Sequence, residues 1–220
     1  LGLLIERAAY KPLRSAPRMS VMISAIGVSY LLQNLATYIT GGLARPYPEI
    51  PFLKGTFMLG GLKIKVITVV TPLLTVLLVI ALVLFINHTK TGMAMRAVSR
   101  DFDTARLMGI KVDNIISVTF IIGSFLAGVG SILYFSNYGQ VSPTIGAMPG
   151  LKGFVAAVFG GIGSIPGAVL GAYIIGICES LIKANDAIAI FSNAFTFALL
   201  ILVLLFKPNG MFGEKLAEKV

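Results

Sequence analysis

Long stretches without any charged residue constrain the fold of this chain more than any other feature. No Asp, Glu, Lys or Arg occurs between Arg18 and Arg45, or between Asp113 and Lys152. A helix of about 20 apolar residues crosses a bilayer. Only 12% of the 220 residues are charged, against about 25% in a soluble domain, so the chain could not cover its surface in water. The sequence therefore predicts an all-α polytopic membrane protein.

Five segments are predicted to span the membrane. They cover residues 19–40, 66–86, 115–136, 168–182 and 187–206. A sixth apolar piece, residues 150–160, is too short to cross, at about 16 Å of helix. The glycines and Pro166 in residues 160–168 exclude a regular helix throughout. We interpret residues 150–160 as a broken or re-entrant half-helix, either lining a substrate path or forming a tightly packed structural turn.

Lysine and arginine predict the orientation of the spans. Twelve of them lie in residues 1–18, 87–114 and 207–220, and five lie on the opposite side, with Lys152 ambiguous. Because cytoplasmic loops carry the excess of Lys and Arg, the first set and the C-terminus are predicted to be cytoplasmic. The net charge of +9 then reflects membrane orientation and not nucleic-acid binding. The five opposite residues are Arg45, Lys54, Lys63, Lys65 and Lys183.

The loop over residues 41–65 is predicted to be extracytoplasmic. Residues 56–64, with Gly60 and Gly61 at the centre, are typical of a β-hairpin. The loop is either a plain connector or part of a docking surface for a partner.

The predicted cytoplasmic loop, residues 87–114, carries a helical pattern. Met95, Val98, Phe102, Ala105 and Gly109 recur at three- and four-residue spacing, which is one face of a helix. We expect an amphipathic helix over about residues 94–110, ending near Gly109 because glycine commonly terminates helices. Such a helix could lie on lipid headgroups, cap the bundle, or enter a groove of a cytoplasmic partner.

Polar residues within spans are candidates for a transport pathway. Gln33 and Asn34 should face protein or the pathway, because amides exposed to lipid are costly. Glu179 is a functional candidate as an intramembrane acid, or it forms an i,i+4 pair with Lys183. The weaker candidates are Tyr30, Ser136, Asn137 and Tyr138.

Ordered motifs along the chain give it a family resemblance. Residues 103–109, Asp-Thr-Ala-Arg-Leu-Met-Gly, resemble the coupling loop of ABC importer permeases, with Asp103 for the usual glutamate and Thr104 for the first alanine. Six further segments resemble LivH-type permease subunits of branched-chain amino acid importers. They cover residues 6–14, 23–27, 92–97, 119–123, 160–168 and 207–213. Relative to that family about three N-terminal spans are missing, so residues 1–220 are expected to form one permease domain that lacks its N-terminal helices.

The resemblance implies a subunit that forms half of a translocation pathway for leucine, isoleucine and valine in a bacterial inner membrane. The implied partners are membrane lipid, a LivM-type permease, two ATPase subunits that bind ATP and Mg, and an extracytoplasmic amino-acid-binding protein. No cofactor, catalytic residue or metal site is expected in this chain, which has no Walker A pattern. The implied ATPase-coupling residues are Arg96, Phe102, Asp103, Ala105 and Gly109. The implied pathway residues are Gln33, Asn34, Gly160, Gly161, Gly163, Ser164 and Glu179.

Three alternatives stay open on the sequence. A permease for urea or short-chain amides would share the same motifs. An intramembrane enzyme would need a nucleophile–base or metal constellation, and the scattered single His, single Cys and Glu179 argue against it. A passive channel would not need the cytoplasmic helix.

Overall fold

A computed structural model describes residues 1–13, 16, 18–48, 55–59, 62–161, 163–185, 188–207, 210 and 211; for residues 18, 19, 22, 57, 59 and 62 it describes the backbone only. The chain divides into two compact units, Leu1–Thr144 and Ile145–Val220, which are described separately. Among the described residues, four helical segments are long and apolar enough to cross a membrane. They are Val66–His88, Val112–Tyr138, Ile165–Lys183 and Ala189–Phe206.

The described residues of the first unit form six α-helices. They are α1 (Gly2–Ile5), α2 (Arg18–Thr40), α3 (Val66–His88), α4 (Lys90–Arg100), α5 (Phe102–Leu107) and α6 (Val112–Tyr138). A π-helical turn (Glu6–Tyr10) and a 3-10 turn (Lys11–Leu13) follow α1. At 23 residues, α2 is as long as α3, so its length permits a fifth crossing. The predicted spans 19–40, 66–86 and 115–136 correspond to α2, α3 and α6 within three residues at each end.

Two short antiparallel sheets belong to the first unit. Strands β1 (Arg45–Pro46) and β4 (Gln140–Val141) pair, and so do β2 (Thr56–Leu59) and β3 (Leu62–Lys65). In the second pair, Leu59 lies opposite Leu62, which confirms the predicted hairpin. Its Gly60-Gly61 turn lies outside the described residues. The backbone N–H of Val66 donates to the carbonyl of Gly55 at 2.8 Å, which ties the base of the hairpin to the start of α3.

The second unit is a group of three helices. They are α7 (Ala147–Gly160), α8 (Ile165–Lys183) and α9 (Ser192–Phe206), with a 3-10 turn (Ala189–Phe191) before α9. Val155, Ala156, Phe159 and Ile175 form its buried core. Partly buried side chains of α9, including Phe197 and Val203, pack against that core.

The predicted half-helix is present, and it is longer than expected. It ends at Gly160 as predicted, but it begins at Ala147 and has 14 residues, or about 21 Å at helical rise. Pro149 is tolerated because it falls in the first turn. The following non-helical segment ends where the Ser164 hydroxyl caps α8 by accepting the N–H of Gly167 at 3.2 Å.

Few apolar side chains of the long helices are buried by the rest of the chain, and many are exposed. Leu73, Leu77 and Ile80 of α3 and Ile201 and Leu205 of α9 are all exposed. Soluble monomers rarely expose many large apolar side chains along whole helices. The fold is therefore that of a multi-pass membrane protein whose helices face lipid or other subunits.

Candidate functional site

The predicted cytoplasmic helix is two helices with a sharp break between them. The backbone of Asp101 is extended, with φ −156° and ψ 115°, so α4 ends at Arg100 and α5 begins at Phe102. The Asp101 carboxylate accepts the backbone N–H groups of Asp103 at 3.0 Å and Thr104 at 3.2 Å. It thereby satisfies two of the four N–H groups that a helix start leaves unpaired. The prediction of one continuous helix over 94–110 is wrong in this respect, because this local side-chain cap competes with helix continuation.

A second cap fixes the start of α4. The Thr89 hydroxyl accepts the N–H of Gly92 at 3.0 Å, and Gly92 is buried against the end of α3. A Cβ at Gly92 would collide with the backbone of Ile86. The direction of α4 relative to α3 is therefore fixed by the backbone.

Gly109 ends α5, as the sequence predicts. Its φ of +80° is a left-handed conformation that favours glycine. The N–H of Gly109 donates to the Arg106 carbonyl at 2.9 Å, and the N–H of Ile110 donates to the Ala105 carbonyl at 3.1 Å. This pair of bonds is a Schellman motif, and it redirects the chain from α5 into α6.

A small apolar core holds α4 and α5 against the start of α6. Val98, Ala105 and Val112 are buried together, with Ile110, Ile115 and Ile116 packed against them. The three core residues come from three different helices, so the segment from residue 90 to residue 116 is one packed body. We call this segment the α4–α5 body.

The outer surface of this body carries an uncovered apolar edge. The exposed fractions are 54% for Phe102, 89% for Leu107 and 75% for Met108. A shallow depression of about 390 Å³ lies beside it, lined by Arg106, Ile110, Lys111, Val112, Asp113 and Asn114. We call Phe102, Leu107 and Met108 the α5 edge.

The five sequence-predicted coupling residues occupy different places in this body. Ala105 is in the core, Phe102 is on the α5 edge, and Gly109 is the terminator. Asp103 is exposed in the first turn of α5, where a negative charge favours the helix dipole. Arg96 is exposed and donates to the Asn87 side chain at 3.3 Å.

Sequence reasoning missed Asp101, Leu107 and Met108. The signal for Asp101 was available, since Asp is a preferred helix N-cap, but the periodic pattern was carried through it. The signal for Leu107 and Met108 was weaker. Which side chains of α5 stay exposed depends on the bend at Asp101, and the sequence pattern did not show that bend.

The α7–α8 hairpin contains most of the sequence-predicted pathway residues. Gly160 has no room for a Cβ, which would collide with the Gly167 carbonyl, and a Cβ at Gly171 would lie 2.7 Å from the Ala156 carbonyl oxygen. The two helix backbones are therefore in direct contact. Small residues four apart, such as Gly167 and Gly171, allow this approach between membrane helices.

The turn of the hairpin is covered by the chain that follows α9. Gly161 adopts φ 112°, and a Cβ at Gly210 would lie 2.5 Å from its Cα. The Met211 N–H donates to the Phe159 carbonyl at 2.9 Å. Gly163 and Ser164 complete the turn, and their assignment to a pathway remains a prediction.

The open end of the hairpin carries three charged side chains. Glu179 Oε1 lies 2.6 Å from Lys152 Nζ and 2.5 Å from Lys183 Nζ. The predicted i,i+4 pair with Lys183 is confirmed, and Lys152 of α7 is a second partner that the sequence did not reveal. The sequence did not assign Lys152 to a side of the membrane. In the structure it lies at the same end of the hairpin as Lys183, on the side predicted to be extracytoplasmic.

Gln33 and Asn34 lie on α2, in the other unit. The Gln33 amide donates to the Ser29 hydroxyl at 3.2 Å, and the Asn34 amide donates to the Tyr30 carbonyl at 2.8 Å. Both amides are thus partly satisfied within their own helix. Their pathway role remains a prediction.

A buried acid near the N-terminus was not singled out from the sequence. Glu6 lies in the π-helical turn and is fully buried; its carboxylate accepts the Ser117 hydroxyl of α6 at 3.0 Å. Tyr10 packs on Phe120 with ring centroids 5.1 Å apart. These contacts fasten the N-terminal segment to the half of α6 that follows the α4–α5 body.

The fold places the chain in the class of multi-pass helical membrane proteins, and comparison with known sequences specifies it further. A family model described as "Branched-chain amino acid transport system / permease component" matches residues 1–204. The chain belongs to this family.

Individual relatives are also named as permease proteins of branched-chain amino acid transport. The chain is 41% identical to the high-affinity branched-chain amino acid transport system permease protein LivH of Escherichia coli K12, over 100% of the chain and 72% of the relative. It is also 41% identical to the permease protein BraD of Pseudomonas aeruginosa, with the same coverage. A probable LivH of Methanocaldococcus jannaschii is 31% identical over 96% of the chain and 70% of the relative. No solved structure matches the chain.

Proposed function

We propose that this chain is a permease subunit of an ATP-driven importer and forms half of the pathway for leucine, isoleucine and valine. The observation that carries the proposal is the family match over residues 1–204 together with the exposed α5 edge. The family supplies the substrate class, since its relatives are named for branched-chain amino acid transport. The edge supplies a surface on which an external motor could act.

The α4–α5 body is suited to receive a mechanical signal. Thr89 caps the start of α4, Asp101 caps the start of α5, and the turn at Gly109 ends α5. The backbone is therefore held by hydrogen bonds at each of these helix ends. The three apolar side chains of the α5 edge are exposed and could enter a groove of a partner. Two separate ATPase subunits, which bind ATP and Mg, would close on this edge and rotate the helices between inward-facing and outward-facing states.

The remaining partners follow from the same proposal. A homologous LivM-type permease would cover the exposed apolar helices that do not face lipid. An extracytoplasmic binding protein would deliver the amino acid on the side of the β2–β3 hairpin and Lys183. The C-terminus would be cytoplasmic, in an inner membrane.

A reconstituted assembly tests the proposal. The protein would be expressed with the neighbouring permease, ATPase and binding-protein genes, purified as a complex and placed in proteoliposomes. We expect leucine, isoleucine and valine uptake that requires both ATP and the binding protein. Uptake of urea or short amides in their place would favour the alternative permease, and uptake without ATPases would refute the coupling role.

A further inference from the structure

One side of α4 carries basic residues that take no part in the packing of the α4–α5 body. Lys90, Met93, Arg96 and Arg100 are exposed, and their spacing of three, three and four residues puts them on one side of the helix. The buried Val98 points away from them. We call these four exposed residues the α4 stripe. Its three cations flank a methionine that is 51% exposed.

The basic side chains of the stripe have donors left for an anion. In the part of the chain that the structure describes, Lys90 and Arg96 form no ion pair. The Arg96 guanidinium donates to the side-chain oxygen of Asn87 at 3.3 Å, and this amide is neutral. One such bond occupies one of the five N–H donors of an arginine. The charge of Arg96 is therefore still available to a negatively charged ligand.

The bond between Arg96 and Asn87 also indicates the depth of the stripe. Asn87 is the last residue but one of α3, which has 23 residues and is about 34 Å long at helical rise. The hydrocarbon core of a bilayer is about 30 Å thick, so the ends of α3 reach the headgroup region. Arg96 is therefore held at the level of lipid headgroups, on the side that the Lys and Arg count predicts to be cytoplasmic.

The stripe and the α5 edge differ in chemistry. The edge is apolar, whereas the stripe is basic with one apolar side chain at its centre. Because Asp101 separates α4 from α5, the two surfaces belong to different helices and can have different partners. An anionic headgroup fits the stripe in both charge and depth, and a basic helix surface with an apolar residue is typical of helices that lie at a membrane surface.

We propose that the α4 stripe binds the headgroups of anionic phospholipids in the cytoplasmic leaflet. Lys90 and Arg96 donate to the phosphate oxygens, and Met93 contacts the lipid between them. Each Lys or Arg beside an anionic membrane surface raises affinity about fivefold. This inference goes beyond the proposed function, since it concerns a lipid partner and does not depend on the transported substrate.

Photocrosslinking from Met93 tests the proposal in the assembled importer, purified with its ATPase subunits and placed in vesicles of equal parts phosphatidylglycerol and phosphatidylcholine. Met93 is replaced by photoreactive benzoylphenylalanine, and the adducts are counted by mass spectrometry. We expect phosphatidylglycerol adducts to outnumber phosphatidylcholine adducts at least fivefold. The matched position is Leu73, an exposed residue of α3, which should label the two lipids within twofold of each other.

Two charge variants separate headgroup binding from mere proximity to lipid. Lys90→Gln combined with Arg96→Gln should bring the two adducts at Met93 to within twofold of each other. Lys63→Gln combined with Lys65→Gln removes two exposed charges from β3 and should leave the preference at Met93 unchanged. A preference that persists in the α4 double variant, or that is absent without substitutions, would overturn the proposal.

A protein partner on the stripe gives a different result. If the group at Met93 labels an ATPase subunit in place of lipid, or labels nothing while Leu73 labels lipid, the stripe is not a headgroup site and the inference is wrong. The same group at Leu107 of the α5 edge should label an ATPase subunit. Failure at Leu107 alone would count against the proposed function and leave the lipid result standing.

Discussion

The α4–α5 body and the α7–α8 hairpin are held together by different physical means. In the first, side-chain and backbone hydrogen bonds define each helix end, from Thr89 through Asp101 to Gly109. In the second, two backbones touch directly at Gly160 and Gly171, and an ion pair closes the open end.

These two ways of holding helices together leave different surfaces exposed. Caps define the helix ends of a compact body whose apolar α5 edge stays uncovered. Backbone contact buries the facing sides of the hairpin helices, while side chains on their outer sides, such as Phe154 and Ile177, stay exposed. The four predictions below test this contrast.

The largest effect is expected from separating the hairpin backbones. A Cβ at Gly171 would lie 2.7 Å from the Ala156 carbonyl oxygen, so Gly171→Val should destabilise the unit by about 1–3 kcal/mol or more. Folded yield and thermal unfolding of the detergent-purified complex measure this. Gly176→Val on the same helix is the matched control, because a Cβ at Gly176 meets nothing within 4 Å. Equal losses for both variants would contradict direct backbone contact.

Gly109→Arg should abolish ATP-driven uptake while membrane insertion stays intact. A side chain at φ +80° is strained by about 1–2 kcal/mol, and relief of that strain would turn the α5 edge away from its partner. Gly139→Arg, at φ +70° with similarly open surroundings, carries the same strain at the other end of α6 and should keep uptake. Normal transport by the Gly109 variant would refute the coupling role.

Removing apolar area from the α5 edge should weaken binding of the ATPase subunits to the permease without unfolding the permease. Leu107→Ser with Met108→Ser removes two anchors of about 1–2 kcal/mol each, so ATPase affinity should fall at least tenfold. Affinity is read by titrating ATPase subunits onto the immobilised permease pair. The exposed Leu77 of α3, changed to Ser, should leave that affinity unchanged, and an equal loss there would remove the edge from the interface.

The smallest effect concerns the bend itself. Asp101→Ala deletes the α5 cap and should cost about 1 kcal/mol, reducing uptake a few-fold. Asp101→Asn keeps a capping oxygen and should retain most of the activity. Equal losses for Asn and Ala, which both lack the charge, would mean that the charge of Asp101, and not the cap, is what matters.

The limits of the spanning helices could be predicted from the sequence because a membrane helix is defined by the composition of one continuous segment. Charge-free length sets each span, and α3 and α6 lie within three residues of the predicted limits. Gly109 and Gly160 were located as helix ends because glycine acts on the backbone at its own position. The family resemblance supplied the coupling and pathway assignments, which await experiments.

The misses have two causes, one local and one long-range. The face containing Val98, Phe102 and Ala105 was drawn as a single stripe, yet only Val98 and Ala105 are buried, because Asp101 interrupts the helix between them. Glu6 carried no recognisable pattern, since its partner Ser117 is 111 residues away. Side chains that act across distant elements leave no periodic trace.

The sequence alone therefore showed that this chain is a membrane protein and to which family it is related. It also predicted how the spans are oriented. Periodicity, charge asymmetry and backbone chemistry are all readable along one dimension. Only the tertiary structure decided that Lys152 joins Glu179 and Lys183, and that Phe102, Leu107 and Met108 stay uncovered. The first fact depends on how α7 packs on α8, which brings together residues 27 positions apart. The second depends on the direction in which α5 leaves α4, which periodicity along the chain does not reveal.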